Sequence, residues 1–530
     1  MPHPVKRIRP ERISPAGFGR LLSLGILLFA TTLLLVSCST GSPSDADTGV
    51  VTFLIDTTPT NLDPRIGSDA QSERIHSLLF SGLLERDAQM NLRGDLADHW
   101  ENPNPLTYVF HLHTGVRFHD GHSLTSADVK FTFDSIRTGS ITTLKRGVYR
   151  MVSSIDAPDP YTIVFHLTEP YAAFLWNVAR PAVGIVPAGS DASFASHPVG
   201  SGPFRFVRAQ QDDEVVIERN PDYFRTPPSV EGVRFRIVPD AIVRALELRK
   251  GTADLELGSL TADMVAVFQK DPKLEVAEVP GTNYSYLAVN FDDDRLAHRE
   301  VRQALAFATD RETIIRYLLR GQARAADSVL PPNSWAYEPN VKHYPYDPAR
   351  AEQLLESAGF PRRTDQGGMR LHLVLKTSTG EVARALGAAL QDQWRRVGVD
   401  LELRTMELAT LLADLNHGSF QLSYLTWVGG NNDPDFFELV FSSKRMPPNG
   451  ANRGHYRNPS LDMLLDQARA EPDMERRKQL FAEVQRIVSE DVPYVNLWYN
   501  DMISVHRPRI ENMHLQPAGD YDFLGGIKLR

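Results

Sequence analysis

LADHWENPNPLTYVFHLHTGVRFHDGHSLTSADVKFTFDSI, residues 96–136, holds a strand, a turn and a helix in close succession. His111 and His113 fall on one face of the strand, because alternate residues share a side. Asp120 and Gly121 suit a tight turn. Thr125 can cap a helix over 126–136, and Asp128 three positions later completes a capping-box start. Phe131 and Phe133 read as packing residues. A strand handed through a turn to a capped helix is the habit of an α/β chain.

The same alternation extends outward from Val50. Over 299–320, Val301, Leu305, Ala308, Ile315, Leu318 and Leu319 recur at roughly helical spacing, and Gly321 stops the run. Asp347 and Pro348 supply a cap and a first-turn proline ahead of a helix that exits at Gly359. Residues 381–397 form an amphipathic helix ended by Gly398, and 399–406 alternates as a half-buried strand. The chain has 530 residues, 42% of them hydrophobic and 23% charged. That length exceeds one ordinary core and requires at least two domains. Breaks in character near 280–300 and 490–500 predict two crossings between lobes, a layout suited to hinged closure.

The N-terminus has a different character. Lys6, Arg7, Arg9, Arg12 and Arg20 precede an apolar run from Leu21 to Val36. Sixteen residues fall short of the roughly 20 needed to span a bilayer, which fits a signal segment over a permanent span. The run ends at Cys38, the one cysteine in the chain, in a setting that resembles a lipobox. The expectation is a signal peptide over 1–37, a lipid on Cys38 and a flexible tether over 38–49. Two acyl chains suffice for stable anchoring where one is marginal. After cleavage 52 Lys and Arg would face 65 Asp and Glu, a net charge of −13. That charge argues against nucleic-acid binding. Disulfides are excluded, so the fold must rest on its core.

In Ala97, Trp100, Gly115-Val116, Phe118-His119-Asp120-Gly121, Leu124-Thr125, Asp128-Val129 and Phe131-Thr132-Phe133, the opening stretch resembles the family 5 solute-binding proteins, the dipeptide-, oligopeptide- and nickel-binding group. TNLDP (60–64), GSGPFRF (200–206), RNPDYF (219–224), LRKGTADL (248–255), YLAVNF (286–291), VRQALAFATDRETI (301–314) and YDPARAEQLLESAGF (346–360) follow in family order. The resemblance covers about 50–530. It implies a two-lobed α/β fold of the periplasmic-binding-protein type (type II, cluster C) with an extra subdomain and a hinged cleft. Lobe I would comprise 50–80, 198–290 and 496–530, with the extra subdomain over 81–197 and lobe II over 291–495. It also implies no catalysis, no cofactor, a peptide or similar small polar ligand, ABC permease and ATPase partners, and a monomer.

The resemblance directs attention to TWVGGNNDPDFF (426–437). Dipeptide- and oligopeptide-binding relatives place an aspartate three residues after the tryptophan, against the ligand's ammonium group. Gly430 stands there here, which puts free-amine recognition in doubt because a buried cation needs a partner. Asp433 lies three residues on, in an Asp-Pro setting that equally suits a turn. Asn431 and Asn432 offer neutral donors and acceptors, and Trp427 offers a flat apolar wall. Lys376 stands at the end of strand 371–376, roughly where relatives place a carboxylate-binding arginine. Thr60, Asn61, Asn283 and Tyr284 precede or line the expected crossings.

Other classes fare worse. His111, His113, His119 and His122 permit a metal site geometrically, yet His119 belongs to the family turn and neither cysteine nor HExxH supports it. No metal site is expected. A thiol nucleophile is ruled out beyond Cys38, GSGPF (200–204) is no nucleophile elbow, and no phosphate loop occurs. An oligosaccharide or nickel-chelator cargo, or a receptor that feeds no transporter, stays open alongside the peptide reading.

Overall fold

Val50–Ile55 shows how the sequence builds the main sheet. In the computed structural model, which describes residues 49–530 apart from 88–90, 180–182, 364, 366 and 430–432, this strand runs parallel to Gly232–Ile237 and Leu255–Leu257. Val51, Phe53 and Ile55 enter one core cluster and Leu54 enters another. A strand covered on both faces has to be apolar almost throughout, and VVTFLI is.

The main sheet has eleven strands among the described residues. From one edge it runs Val399–Met406, Leu371–Ser378, Leu422–Trp427, Glu275–Val289, Tyr494–His506, Leu255–Leu257, Val50–Ile55, Gly232–Ile237, Glu214–Arg219 and Phe204–Gln210. Ala323–Ala325 adds to Tyr494–His506. The two long central strands, Glu275–Val289 and Tyr494–His506, pair antiparallel from Glu275 with His506 to Ala288 with Tyr494. Their register slips between Val279 and Asn283 and again between Ser285 and Tyr286. On one side Glu275–Val289 takes Leu422–Trp427 as its neighbour. On the other, Tyr494–His506 takes Leu255–Leu257. Separate cores grow on the two sides of this seam, one pair around Trp394 and Tyr286, the other around Phe53 and Leu248. The result is a two-lobed α/β fold.

The stretch 96–136 builds a smaller antiparallel sheet, in the order Ala97–Asn104, Thr107–Leu112, Thr162–Leu167, Val152–Asp159. Tyr108, Phe110 and Phe165 face Val129, Phe133 and Ile136 of helix Ser126–Arg137. Phe133 meets the Phe165 ring edge-on at 5.1 Å. The capping box forms as expected, with the Thr125 amide donating to Asp128 Oδ2 at 2.8 Å. Gly121 turns at φ +91°, a backbone angle that favours glycine. His119 ties that turn to the second motif: the Gly200 amide donates to its Nδ1 and its Nε2 faces the Gly202 carbonyl. Burial pushes this imidazole down to about 4.

One expectation needs correction. Residues 299–320 do not form one helix but two, Arg299–Phe307 and Arg311–Tyr317. Asp310 causes the break, because its carboxylate accepts the Thr313 amide at 3.0 Å and caps a new helix. Thr309 reinforces it by accepting the buried Trp394 indole N–H. The Asp347 cap, with Pro348 in the first turn, and the helix Glu381–Arg396 stand as read. Among the described residues no helix is long and apolar enough to cross a membrane.

Candidate ligand cleft

Parallel strands in open α/β sheets present ligands at their carboxyl ends. Here Val50–Ile55 and Leu255–Leu257 both end at a cavity of about 260 Å³. Its walls come from Asp56 and Thr57 after the first strand, the start of helix Ala70–Leu79, and Gly258-Ser259 after the other. The central seam adds Asn283 and Met502, and Val428 arrives from beyond Leu422–Trp427. The cavity therefore sits where the two lobes meet.

Its polar groups differ in how far they are already engaged. Asp69 caps helix Ala70–Leu79 and accepts from the Ser72 amide at 2.9 Å and from the Thr60 hydroxyl. Burial works to raise this carboxyl, but the Ser72 and Thr60 hydrogen bonds outweigh it and hold the group below its usual range. Asp56 accepts from Gln71 Nε2 at 3.1 Å. Gln71 in turn accepts from the Tyr521 hydroxyl at 2.7 Å. Arg74 lays its guanidinium 5.5 Å from the Tyr521 ring centre, and no carboxylate pairs with it among the described residues. Ser259 donates its amide to Glu256 at 2.7 Å. Glu256 is almost wholly buried, and burial pushes its carboxyl up to about 7.

The residues singled out by sequence scatter around this cavity. Asn283 lines it, and its Oδ1 accepts the Gly429 amide at 2.9 Å, fastening the loop after Trp427 to the seam. Its neighbour Tyr284 points the other way, fully buried, with its hydroxyl on Asn496. Trp427 is half-buried in an aromatic stack, parallel to Tyr286 at 6.3 Å and edge-on to Phe436 at 4.9 Å. The next residue, Val428, reaches the cavity wall instead. Thr60 and Asn61 border a separate groove of about 780 Å³ beside His197, Phe206 and Arg208. Lys376 pairs with Asp414 at 2.6 Å. Asp433 and Asp435 share the buried Arg477 at 3.0 and 2.6 Å. Burial and the neighbouring Asp433 push the Asp435 carboxyl upward. Gly430, Asn431 and Asn432 lie outside the described residues, as does Cys38.

Arg74, Gln71, Asp56 and Tyr521 were missed by sequence reasoning. The available signal was the rule of strand carboxyl ends: VVTFLI followed by a polar run and a capped helix marks such an end. Away from the cavity, the small sheet's subdomain touches the second lobe directly. The Ala172 amide donates to the Arg469 carbonyl at 2.9 Å, and Arg469 pairs with Glu169 at 3.0 Å.

A two-lobed fold with a polar cavity at its junction is an architecture that can close around a ligand. The model of the bacterial extracellular solute-binding proteins, family 5 (middle region), matches residues 91–447. The Escherichia coli dipeptide-binding protein is 27% identical, over 95% of this chain and 97% of that protein. Heme-binding protein A of Haemophilus influenzae is 28% identical, over 96% and 99%. The solved oligopeptide-binding protein of Bacillus subtilis, in complex with a nonapeptide, superposes with a TM-score of 0.79 at 25% identity, over 91% and 99%. The chain belongs to the family 5 extracellular solute-binding proteins, and it is a binding protein, not an enzyme.

Proposed function

We propose that this chain captures a short peptide, or a similar small polar ligand bearing a carboxylate, in the junction cavity for an ABC importer. The observation that carries the reading is Arg74. It is a cation on the cavity wall with no carboxylate of its own, backed by the Tyr521 ring. Charge-assisted hydrogen bonds from arginine to a carboxylate are strong and often bidentate. Asn283 and Val428 would face the cargo from the side of the tryptophan strand. Trp427 would hold Val428 in place, and Asp56 would face the cargo's donors. The cavity measures about 260 Å³, at the small end of the roughly 300–1,000 Å³ usual for ligand pockets, which favours short cargo. Cargo bound more tightly by the closed state would shift the lobes toward closure. In this reading the second lobe is 291–495, the protein acts as a monomer, and acylated Cys38 with the tether over 38–49 holds it at the membrane.

A thermal-shift screen of the full chain in detergent tests the reading. Free dipeptides, longer peptides, N-blocked peptides, oligosaccharides and nickel-chelator complexes form the panel. Ligands that bind the native state raise the melting temperature by mass action. The expected result is a shift with short peptides that is lost when their C-terminal carboxylate is amidated. Shifts with sugars or chelates alone would overturn the peptide assignment.

A further inference from the structure

The outer face of the small sheet carries a second arrangement with no part in its core. His99 and His111 stand directly opposite each other on the adjacent strands Ala97–Asn104 and Thr107–Leu112. Their rings lie nearly parallel, with centres 4.4 Å apart. Glu101 follows His99 by two residues on the same strand, and its Oε1 lies 3.7 Å from His111 Nε2. One ligand atom from each of the three comes within 4.8 Å of the other two. Asp98 stands behind them, with Oδ2 3.0 Å from His99 Nδ1 and Oδ1 3.7 Å from His113 Nδ1. The opposite face of the sheet holds the apolar core of Tyr108, Phe110 and Phe165, so packing does not account for these imidazoles. Neighbouring imidazoles beside a carboxylate, one of them with its Nδ1 hydrogen-bonded to a second carboxylate, are what a borderline metal ion requires.

We infer that His99, Glu101 and His111 form a site for a divalent first-row transition ion, with Asp98 orienting His99 so that Nε2 faces the ion. Two imidazoles and a carboxylate with positions left for water suit Zn²⁺, Ni²⁺ or Cu²⁺, and Cu²⁺ heads the affinity order. The sequence alone offered His111, His113, His119 and His122 and led to no expected site; strand pairing instead brings His99 and Glu101 to His111. The test uses the untagged full chain, stripped with chelator and titrated calorimetrically with Zn²⁺ alone, then examined with Cu²⁺ by electron paramagnetic resonance. One equivalent of either ion is expected, and the Cu²⁺ spectrum should show nitrogen hyperfine structure. His99→Ala and His111→Gln should each weaken that event at least ~10-fold, and Asp98→Asn ~10-fold. His166→Ala should leave it unchanged. Circular dichroism checks that each variant is folded. Absence of a one-equivalent event, or its survival in both histidine variants, would overturn the site.

Discussion

The two sides of the central seam treat charge in opposite ways. Around the second lobe's tryptophan loop, charges are balanced within the protein: Arg477 serves Asp433 and Asp435, and Lys376 serves Asp414. On the first lobe's side, Arg74 has an aromatic ring beside it and no carboxylate partner among the described residues. The charged residues that stand out in the motif thus pair within the protein, while the cation without a carboxylate partner among the described residues sits on helix Ala70–Leu79. Charge near a cleft is evidence of recognition only after its internal partners are known.

The largest effect should come from breaking the balanced side. Arg477→Met leaves two buried carboxylates facing each other, and removing one partner of a buried pair costs about 3–5 kcal/mol. Denaturant unfolding should show that loss. If the midpoint barely moves, Asp433 is free for ligand after all.

Next comes the buried Glu256 behind Ser259. Its folded pKa of about 7 lies above the ordinary 4.5. Below 4.5 both states are protonated, so the folded protein keeps its full advantage there. As pH climbs toward 7 only the unfolded chain ionises freely, and stability falls; above 7 the loss is complete. Glu256→Gln removes that dependence. The variant's stability relative to the parent should rise by about 3 kcal/mol between pH 4 and pH 8, since one pKa unit is about 1.4 kcal/mol. Parallel stability–pH curves would place the ionised carboxylate in a better-solvated setting.

Arg74→Met should leave unfolding nearly unchanged and weaken binding of carboxylate cargo by about 1.5–3 kcal/mol, roughly ten- to 150-fold. Lys376→Met is the smallest case. Its partly exposed pair with Asp414 is worth about 1 kcal/mol or less, and cargo affinity should hold. A large affinity loss there would move the carboxylate site to the second lobe.

Much of the fold was legible because its signals are local. Thr125 with Asp128, and Asp347 with Pro348, announce helix starts within four residues, and the alternation of 399–406 becomes the strand Val399–Met406. The break at Asp310 was missed because apolar spacing continued across it, while one side-chain cap decided the matter. The cavity was least legible. Arg74 on its helix reads as a solvated residue until Tyr521, far along the chain, folds beside it. Asp433 reads as a candidate contact until Arg477 arrives from another helix.

The most direct test of the account is a two-by-two titration calorimetry experiment. Wild type and Arg74→Met are each titrated with a short peptide and with its C-terminal amide. If Arg74 holds the cargo carboxylate, each single change costs about 1.5–3 kcal/mol, and the second change then costs almost nothing. If amidation costs the Arg74→Met variant as much as it costs wild type, the carboxylate is held elsewhere and the account is wrong.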